Sequence, residues 1–133
     1  MKRVFLSGSF DPLHSGHIAL FEMASEIGEL YVGIGSDESI KAWKHPVFRT
    51  QEERLYMVKA IRYVKDASIN PGMGFIDYLH NPMFKECDIL IVAKERELKS
   101  MRAYCNFIGK EYLIFDRIHA KGLPIVSSTD LRK

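Results

Sequence analysis

The hydrophobic residues of the chain fall into short runs that alternate with stretches of helical spacing. A run of four to six apolar residues bounded by turn residues is typical of a buried strand. One of these runs, Asp88–Ala93, is rich in Ile and Val and apolar on both faces, as expected inside a parallel sheet. The five predicted strands are Val4–Ser7, Leu30–Ile34, Ala67–Ile69, Asp88–Ala93 and Tyr112–Phe115.

Helices are predicted between these strands. His17–Ile27 carries apolar residues at helical spacing and is followed by Gly28, a common residue just past the end of a helix. Thr50 and Glu53 have the spacing of a capping box, which predicts a helix from Thr50 to about Val64. The remaining predictions are helices over Phe75–Leu79, Leu98–Ile108 and Ser127–Lys133, and a mostly irregular segment over Asp37–Phe48.

Strands that alternate with helices predict an α/β fold, here a Rossmann-like, doubly wound, five-stranded parallel sheet with flanking helices. A length of 133 residues favours a single domain over 1–133. Ligands of such sheets bind at the carboxyl ends of the strands, where the strand order reverses. The residues that follow the first strand are therefore the first candidates for a binding site.

Composition and charge narrow the function classes. Hydrophobic residues make up 47% and charged residues 27% of the chain, as in ordinary globular proteins. The net charge of +2 is too small to indicate a nucleic-acid partner, and no apolar stretch is long enough for a membrane helix. We expect Cys87 and Cys105 to be buried free thiols, and the absence of a signal-peptide pattern predicts a cytoplasmic protein.

The segment after the first strand has the composition of an anion site. Gly8 follows the strand, and His14 and His17 flank Gly16 where the next helix begins. Ser15 is the predicted N-cap, and a helix start offers free N–H groups and a positive dipole end. Imidazoles can donate hydrogen bonds to phosphate oxygens and stabilise charge that develops in a transition state. Two histidines alone would indicate a solvated turn, but this combination favours phosphate binding.

The stretch from Gly8 to His17 resembles the HxGH signature of the nucleotidyltransferase superfamily, and the length and layout are similar to the small, glycerol-3-phosphate cytidylyltransferase-like members. The resemblance implies catalytic roles for His14, His17 and Lys44. It implies acceptor-phosphate contacts for Arg54 and Arg62, and no protein ligand to a metal. It further implies that the nucleotide is bound by Gly8, Ser9, Phe10, His14, His17, Ser127, Ser128 and Thr129.

The reaction implied by this resemblance is attack of a phosphorylated acceptor on the α-phosphorus of a nucleoside triphosphate, with release of pyrophosphate. A phosphate monoester is already an anion near neutral pH, so positioning and charge stabilisation should supply most of the catalysis. Mg²⁺ is expected to be bound mainly through the nucleotide phosphates. CTP is the expected nucleotide, and a homodimer is the expected assembly.

Two segments depart from the small cytidylyltransferase pattern. Ala93–Glu97 stands where those enzymes have an acidic, glycine-containing segment, and Arg117–Pro124 is longer than their compact turn. Both segments lie where the base or the second substrate would be bound. Two alternatives therefore stay open, an adenylyltransferase that uses ATP and a nucleotide-binding module without catalysis.

Overall fold

The computed structural model describes residues 1–116 and 122–123. The predicted last helix and the candidates Ser127, Ser128 and Thr129 lie outside the described residues. All five predicted strands are confirmed, with bounds shifted by at most one residue at either end. They are β1 Arg3–Gly8, β2 Glu29–Ile34, β3 Asp66–Ile69, β4 Ile89–Ala93 and β5 Glu111–Phe115.

The strands form one parallel sheet in the order β3-β2-β1-β4-β5, which confirms the predicted doubly wound fold. β1 is the central strand, and Leu6 pairs with Val32 of β2 on one side and with Ile91 of β4 on the other. The chain adds β2 and β3 in one direction and then returns to place β4 beside β1. The strand order therefore reverses between β1 and β4, and the carboxyl ends of these strands flank the crevice where ligands bind in such sheets.

Five α-helices lie among these strands. The prediction of a mostly irregular segment after β2 is wrong over its first half, where α2 forms. The Ser36 side chain accepts a hydrogen bond from the Ser39 N–H at 3.0 Å, and Asp37 and Glu38 carry negative charge in the first turn. Both features stabilise a helix start. The helices are α1 Ser15–Ile27, α2 Asp37–Trp43, α3 Gln51–Lys59, α4 Pro82–Glu86 and α5 Lys99–Phe107.

Two other helix predictions need correction. α3 ends at Lys59 instead of Val64, because the residues that follow it turn and pack against the core, among them Ile61 and Tyr63. Phe75–Leu79 forms turns, and the helix of this region, α4, begins later. Asn81 caps α4 by accepting the Met83 N–H at 2.9 Å, and proline follows it at the first helical position.

The sheet has a hydrophobic core on each face. Alternate residues of β1 point to opposite sides, so Val4 and Leu6 pack with α1 and α3 whereas Phe5 packs with α4 and α5. Cys87 and Cys105 are buried free thiols, as predicted, and burial raises the pKa of Cys87 to about 12. No helix in the described part of the chain is long and apolar enough to cross a membrane.

Candidate functional site

A tight bend connects β1 to α1. Phe10 adopts a left-handed backbone conformation, with φ of 52°, and its buried ring meets His17 edge-on at a centroid distance of 5.0 Å. A Cβ atom at Gly8 would lie 2.7 Å from Cζ of this ring. The glycine therefore makes room for Phe10, and its expected contact with a nucleotide stays a prediction. The bend uses the Phe10 side chain to support one of the two histidines.

The two histidines cap α1 reciprocally. The N-cap is His14 and not the predicted Ser15, and Nδ1 of His14 accepts the Gly16 N–H at 3.1 Å. The backbone N–H of His14 in turn donates to Nδ1 of His17 at 3.2 Å. The rings stack with centroids 3.7 Å apart and planes inclined by 22°. The sequence predicted that both histidines lie at a helix start. The structure shows that this exchange of hydrogen bonds fixes the orientation of both rings.

This capping determines where the ring protons lie. In a neutral imidazole one nitrogen accepts and the other carries the proton, so a ring whose Nδ1 accepts carries its proton on Nε2. Burial is the main cause that lowers the pKa of His17 to about 3, and electrostatic interactions with His14 and Arg96 lower it further. His17 is therefore neutral near pH 7. Together the rings present two Nε2–H donors on the side away from the cap, as binding of phosphate oxygens requires.

The lowered pKa of His17 predicts an acid-sensitive fold. The unfolded chain binds a proton at His17 below about pH 6.5, whereas the folded protein does so only near pH 3. Acidification across this window should cost stability, by up to about 1.4 kcal/mol per pH unit. His17→Gln keeps an oxygen that can accept the His14 N–H but cannot titrate, so its urea unfolding free energy should vary less between pH 7 and pH 4. Equal slopes for wild type and variant would contradict the assignment.

Asp11 joins the bend to the segment between α2 and α3. The carboxylate is buried and accepts the N–H groups of Phe48 at 2.7 Å and Arg49 at 2.8 Å. Asp11 thus positions the chain that follows Lys44. Sequence reasoning missed this role, because an Asp-Pro pair indicates a turn but not which distant amides its carboxylate meets.

Arg54 is a structural residue in the wall of the site. Its side chain is 1% exposed, and the guanidinium donates to the carbonyl oxygens of Ser9, Gly35 and Arg49 at 2.7–2.9 Å. It also donates to Oδ1 of Asp37 at 2.7 Å. Arg54 was predicted to bind the acceptor phosphate, but four of its five N–H donors are bonded to oxygens of four other residues. The structure corrects this prediction, because the buried guanidinium joins the segments that form the wall of the site.

Arg62 lies at the far edge of the sheet, where the strands begin, and the crevice lies at the other edge, where they end. It follows α3 and precedes β3, and the nearby Lys65 N–H donates to the carbonyl of Leu30 near the start of β2. The Arg62 guanidinium lies over the Tyr63 ring, 4.9 Å from its centroid, and is exposed to solvent. The structure does not bring Arg62 to the crevice, because a crossover returns the chain to the amino end of the next strand. The predicted acceptor-phosphate contact is therefore corrected for this chain.

Lys44 does reach the site. It is the C-cap of α2, and its Nζ donates to Oγ of Ser9 at 2.6 Å. Lys44 and Ser9 line a small recess of about 20 Å³ at the carboxyl ends of β1 and β2, and Arg96 reaches it from the segment after β4. Sequence reasoning did not single out two charged residues of this recess, Asp77 and Arg96. The lining residues that matter for charge and shape are Gly8, Ser9, Gly35, Lys44, Asp77 and Arg96.

A second, wider groove of about 740 Å³ adjoins this recess. It lies between α2 and α3 and shares Lys44 with the recess. Lys41, His45 and Phe48 line it, so the groove offers cationic and aromatic groups together. Its volume is adequate for a small organic ligand.

The described residues do not form a resident metal site. Among them, no three His, Cys, Asp or Glu side chains are grouped so as to hold an ion. Asp11, the buried carboxylate of the bend, accepts backbone N–H groups with each of its two oxygens. The donor set in this part of the chain therefore does not fit a protein-held cation.

Comparisons with known proteins agree with this geometry. The family model described as cytidylyltransferase-like matches residues 5–133. The FAD synthase of Pyrococcus horikoshii is 41% identical over 80 residues, covering 58% of this chain and 54% of that protein. The ethanolamine-phosphate cytidylyltransferase of Mus musculus is 34% identical over 90 residues, covering 67% of this chain and 22% of that protein. The chain thus spans about half or less of these relatives.

A solved structure shares the fold. The lipopolysaccharide core biosynthesis protein from Thermoplasma volcanium superposes with a TM-score of 0.69 at 22% sequence identity. The match covers 91% of this chain and 99% of that one. At this identity the likeness supports the five-stranded parallel architecture alone.

Proposed function

Because the chain belongs to the cytidylyltransferase-like family, we propose that it moves a nucleotidyl group from a nucleoside triphosphate to a small phosphate-bearing acceptor and releases pyrophosphate. The observation that carries this proposal is the reciprocal capping of His14 and His17. It assigns the ring protons to Nε2 and holds the two rings stacked at the start of a helix, at the carboxyl end of β1.

The proposed reaction suits these residues. An oxygen of the acceptor phosphate forms a bond to the α-phosphorus, and the bond from that phosphorus to the pyrophosphate oxygen breaks. Negative charge moves onto the leaving group, where neutral N–H donors and a lysine stabilise it without a proton transfer. His14 and His17 supply the donors, and Lys44, whose Nζ donates to Oγ of Ser9, supplies the cation. Mg²⁺ is proposed to arrive bound to the triphosphate.

CTP is the proposed nucleotide. The family model and the mouse ethanolamine-phosphate cytidylyltransferase, which aligns over 67% of this chain, support it. Adenylyl transfer from ATP to FMN is the second candidate, because archaeal FAD synthases reach 41% and 45% identity over shorter alignments. A homodimer and the nucleotide contacts of Ser127, Ser128 and Thr129 remain part of the proposal.

A matrix of substrates tests the proposal. Pyrophosphate release is measured with CTP or ATP against phosphoethanolamine, glycerol 3-phosphate and FMN, each in the presence of Mg²⁺. We expect turnover with CTP and one of the two small phosphate esters. Turnover with ATP and FMN alone would replace the first candidate by the second. Nucleotide binding by calorimetry without turnover of any pair would favour a non-catalytic module.

A further inference from the structure

Arg96 is the arginine that the fold brings to the crevice. It ends a short 3-10 turn, Lys94–Arg96, directly after β4, so it lies across the crevice from the bend after β1. Arg54 is enclosed by protein oxygens and Arg62 lies at the far edge of the sheet. Among the arginines of the described residues, Arg96 is the one that lines the recess with Ser9 and Lys44.

The surroundings of Arg96 orient it without enclosing it. Its guanidinium lies over the ring of Phe75, 5.6 Å from the centroid, in a cation–π contact. Its side chain is only partly buried, unlike that of Arg54. Its positive charge contributes to the lowered pKa of His17. It also lowers the pKa of Asp77, which burial raises.

Asp77 gives Arg96 a fixed anionic neighbour. The carboxylate is 7% exposed, and its Oδ1 accepts from Nδ2 of Asn70 at 3.2 Å. Asn70 is held in turn by Nδ2 of Asn81 at 2.9 Å. The other oxygen, Oδ2, faces the recess, since it lies 3.6 Å from where a Cβ on Gly35 would stand. Asp77 therefore places a carboxyl group near the cations around the recess.

We propose that Arg96 binds the phosphate group of the acceptor substrate. The inference rests on the proposed nucleotidyl transfer and deepens it. The acceptor phosphate and the α-phosphate repel each other, so their approach needs a cation separate from the groups that hold the triphosphate. The β1 side of the crevice supplies His14 and His17, and the β4 side supplies Arg96. A guanidinium presents paired donors that match a phosphate, which a lysine does not.

The test compares Arg96→Gln with a matched control, Arg62→Gln. Arg62 is the exposed arginine at the far edge of the sheet. KM values for nucleotide and acceptor are measured with whichever pair of the substrate matrix turns over. Arg96→Gln should raise the acceptor KM by roughly tenfold to hundredfold, as expected for loss of a charge-assisted hydrogen bond. The nucleotide KM should stay within about twofold. Arg96→Lys should recover part of the loss, and Arg62→Gln should match wild type.

A second measurement separates this inference from the proposed function. Inorganic phosphate is titrated by calorimetry into wild type and both glutamine variants, each saturated with the α,β-methylene analogue of CTP. Weaker binding in Arg96→Gln alone supports the inference even if no acceptor of the matrix turns over. Equal phosphate binding and equal acceptor KM in the two variants would overturn it while leaving nucleotidyl transfer intact. A raised nucleotide KM with an unchanged acceptor KM would also overturn it.

Discussion

Replacing His14 with Asn is expected to lower kcat/KM by roughly a hundredfold to a thousandfold while the protein stays folded. His14 has a structural role in the helix cap and a proposed role in catalysis, and the two use different ring nitrogens. Its Nδ1 caps α1 through the Gly16 N–H, and its Nε2 takes no part in that cap. Asparagine is among the best N-cap residues, so the variant retains an acceptor for the helix start. It has no group at the position of Nε2, so the donor to the phosphates is lost.

Steady-state rates and urea unfolding of the same samples test this prediction. His14→Gln is the matched variant, because its longer side chain can extend an amide N–H toward the Nε2 position and should recover part of the rate. His14→Ala loses the cap as well and should unfold about 1 kcal/mol more easily. If His14→Asn retained more than about a tenth of wild-type activity, the Nε2–H could not be a donor to the transition state.

Replacing Arg54 with Met is expected to cost about 3–5 kcal/mol of unfolding free energy, the usual effect of breaking a buried ion pair from one side. The variant leaves the carboxylate of Asp37 without its partner and the carbonyl oxygens of Ser9 and Gly35 without their shared donor. A domain of this size has only about 5–15 kcal/mol in total, so the melting temperature should fall by about 10 °C or more. Activity should fall through unfolding of the bend.

Arg62→Met is the control for this prediction, because the Arg62 side chain is exposed and should change stability by less than about 0.5 kcal/mol. Arg54→Lys should also be unstable, because an ammonium group cannot reproduce the forked hydrogen bonds of the guanidinium. Calorimetric melting of the three variants measures these differences. An Arg54→Met protein that melts like wild type but has a raised acceptor KM would instead support the phosphate contact first predicted from the sequence.

Local patterns were sufficient to predict the features that depend on neighbouring residues. Ile89–Ala93 is a strand, as its apolar pattern predicted, and Ile89, Leu90 and Ile91 are buried on the two faces of the sheet. The paired histidines stand three positions apart, which at a helix start places one at the N-cap and the other within reach of its backbone. The helix α2 was not predicted, although Ser36 and the acidic residues after it are typical of a helix start. The segment also contains Pro46, which favoured the prediction of a loop.

The positions and partners of the arginines could not be predicted from the sequence. Arg54 has the spacing of a solvent-exposed helix residue, and its four acceptors come from positions that lie 5–45 residues away. Arg96 falls in a segment that departs from the family pattern, and nothing local shows that β4 returns to pair with β1. Arg62 is also an arginine, but it lies at the far edge of the sheet, away from the crevice.

The sequence by itself determined the parallel sheet, the bend after its central strand and the pair of imidazoles at the start of α1. These follow from hydrophobic periodicity and hydrogen bonds that span only a few residues. Only the tertiary structure decided which arginine is enclosed, which is remote and which lines the crevice. Burial and charge environment depend on segments that meet across the sheet, and their meeting is set by strand order, which no local pattern encodes.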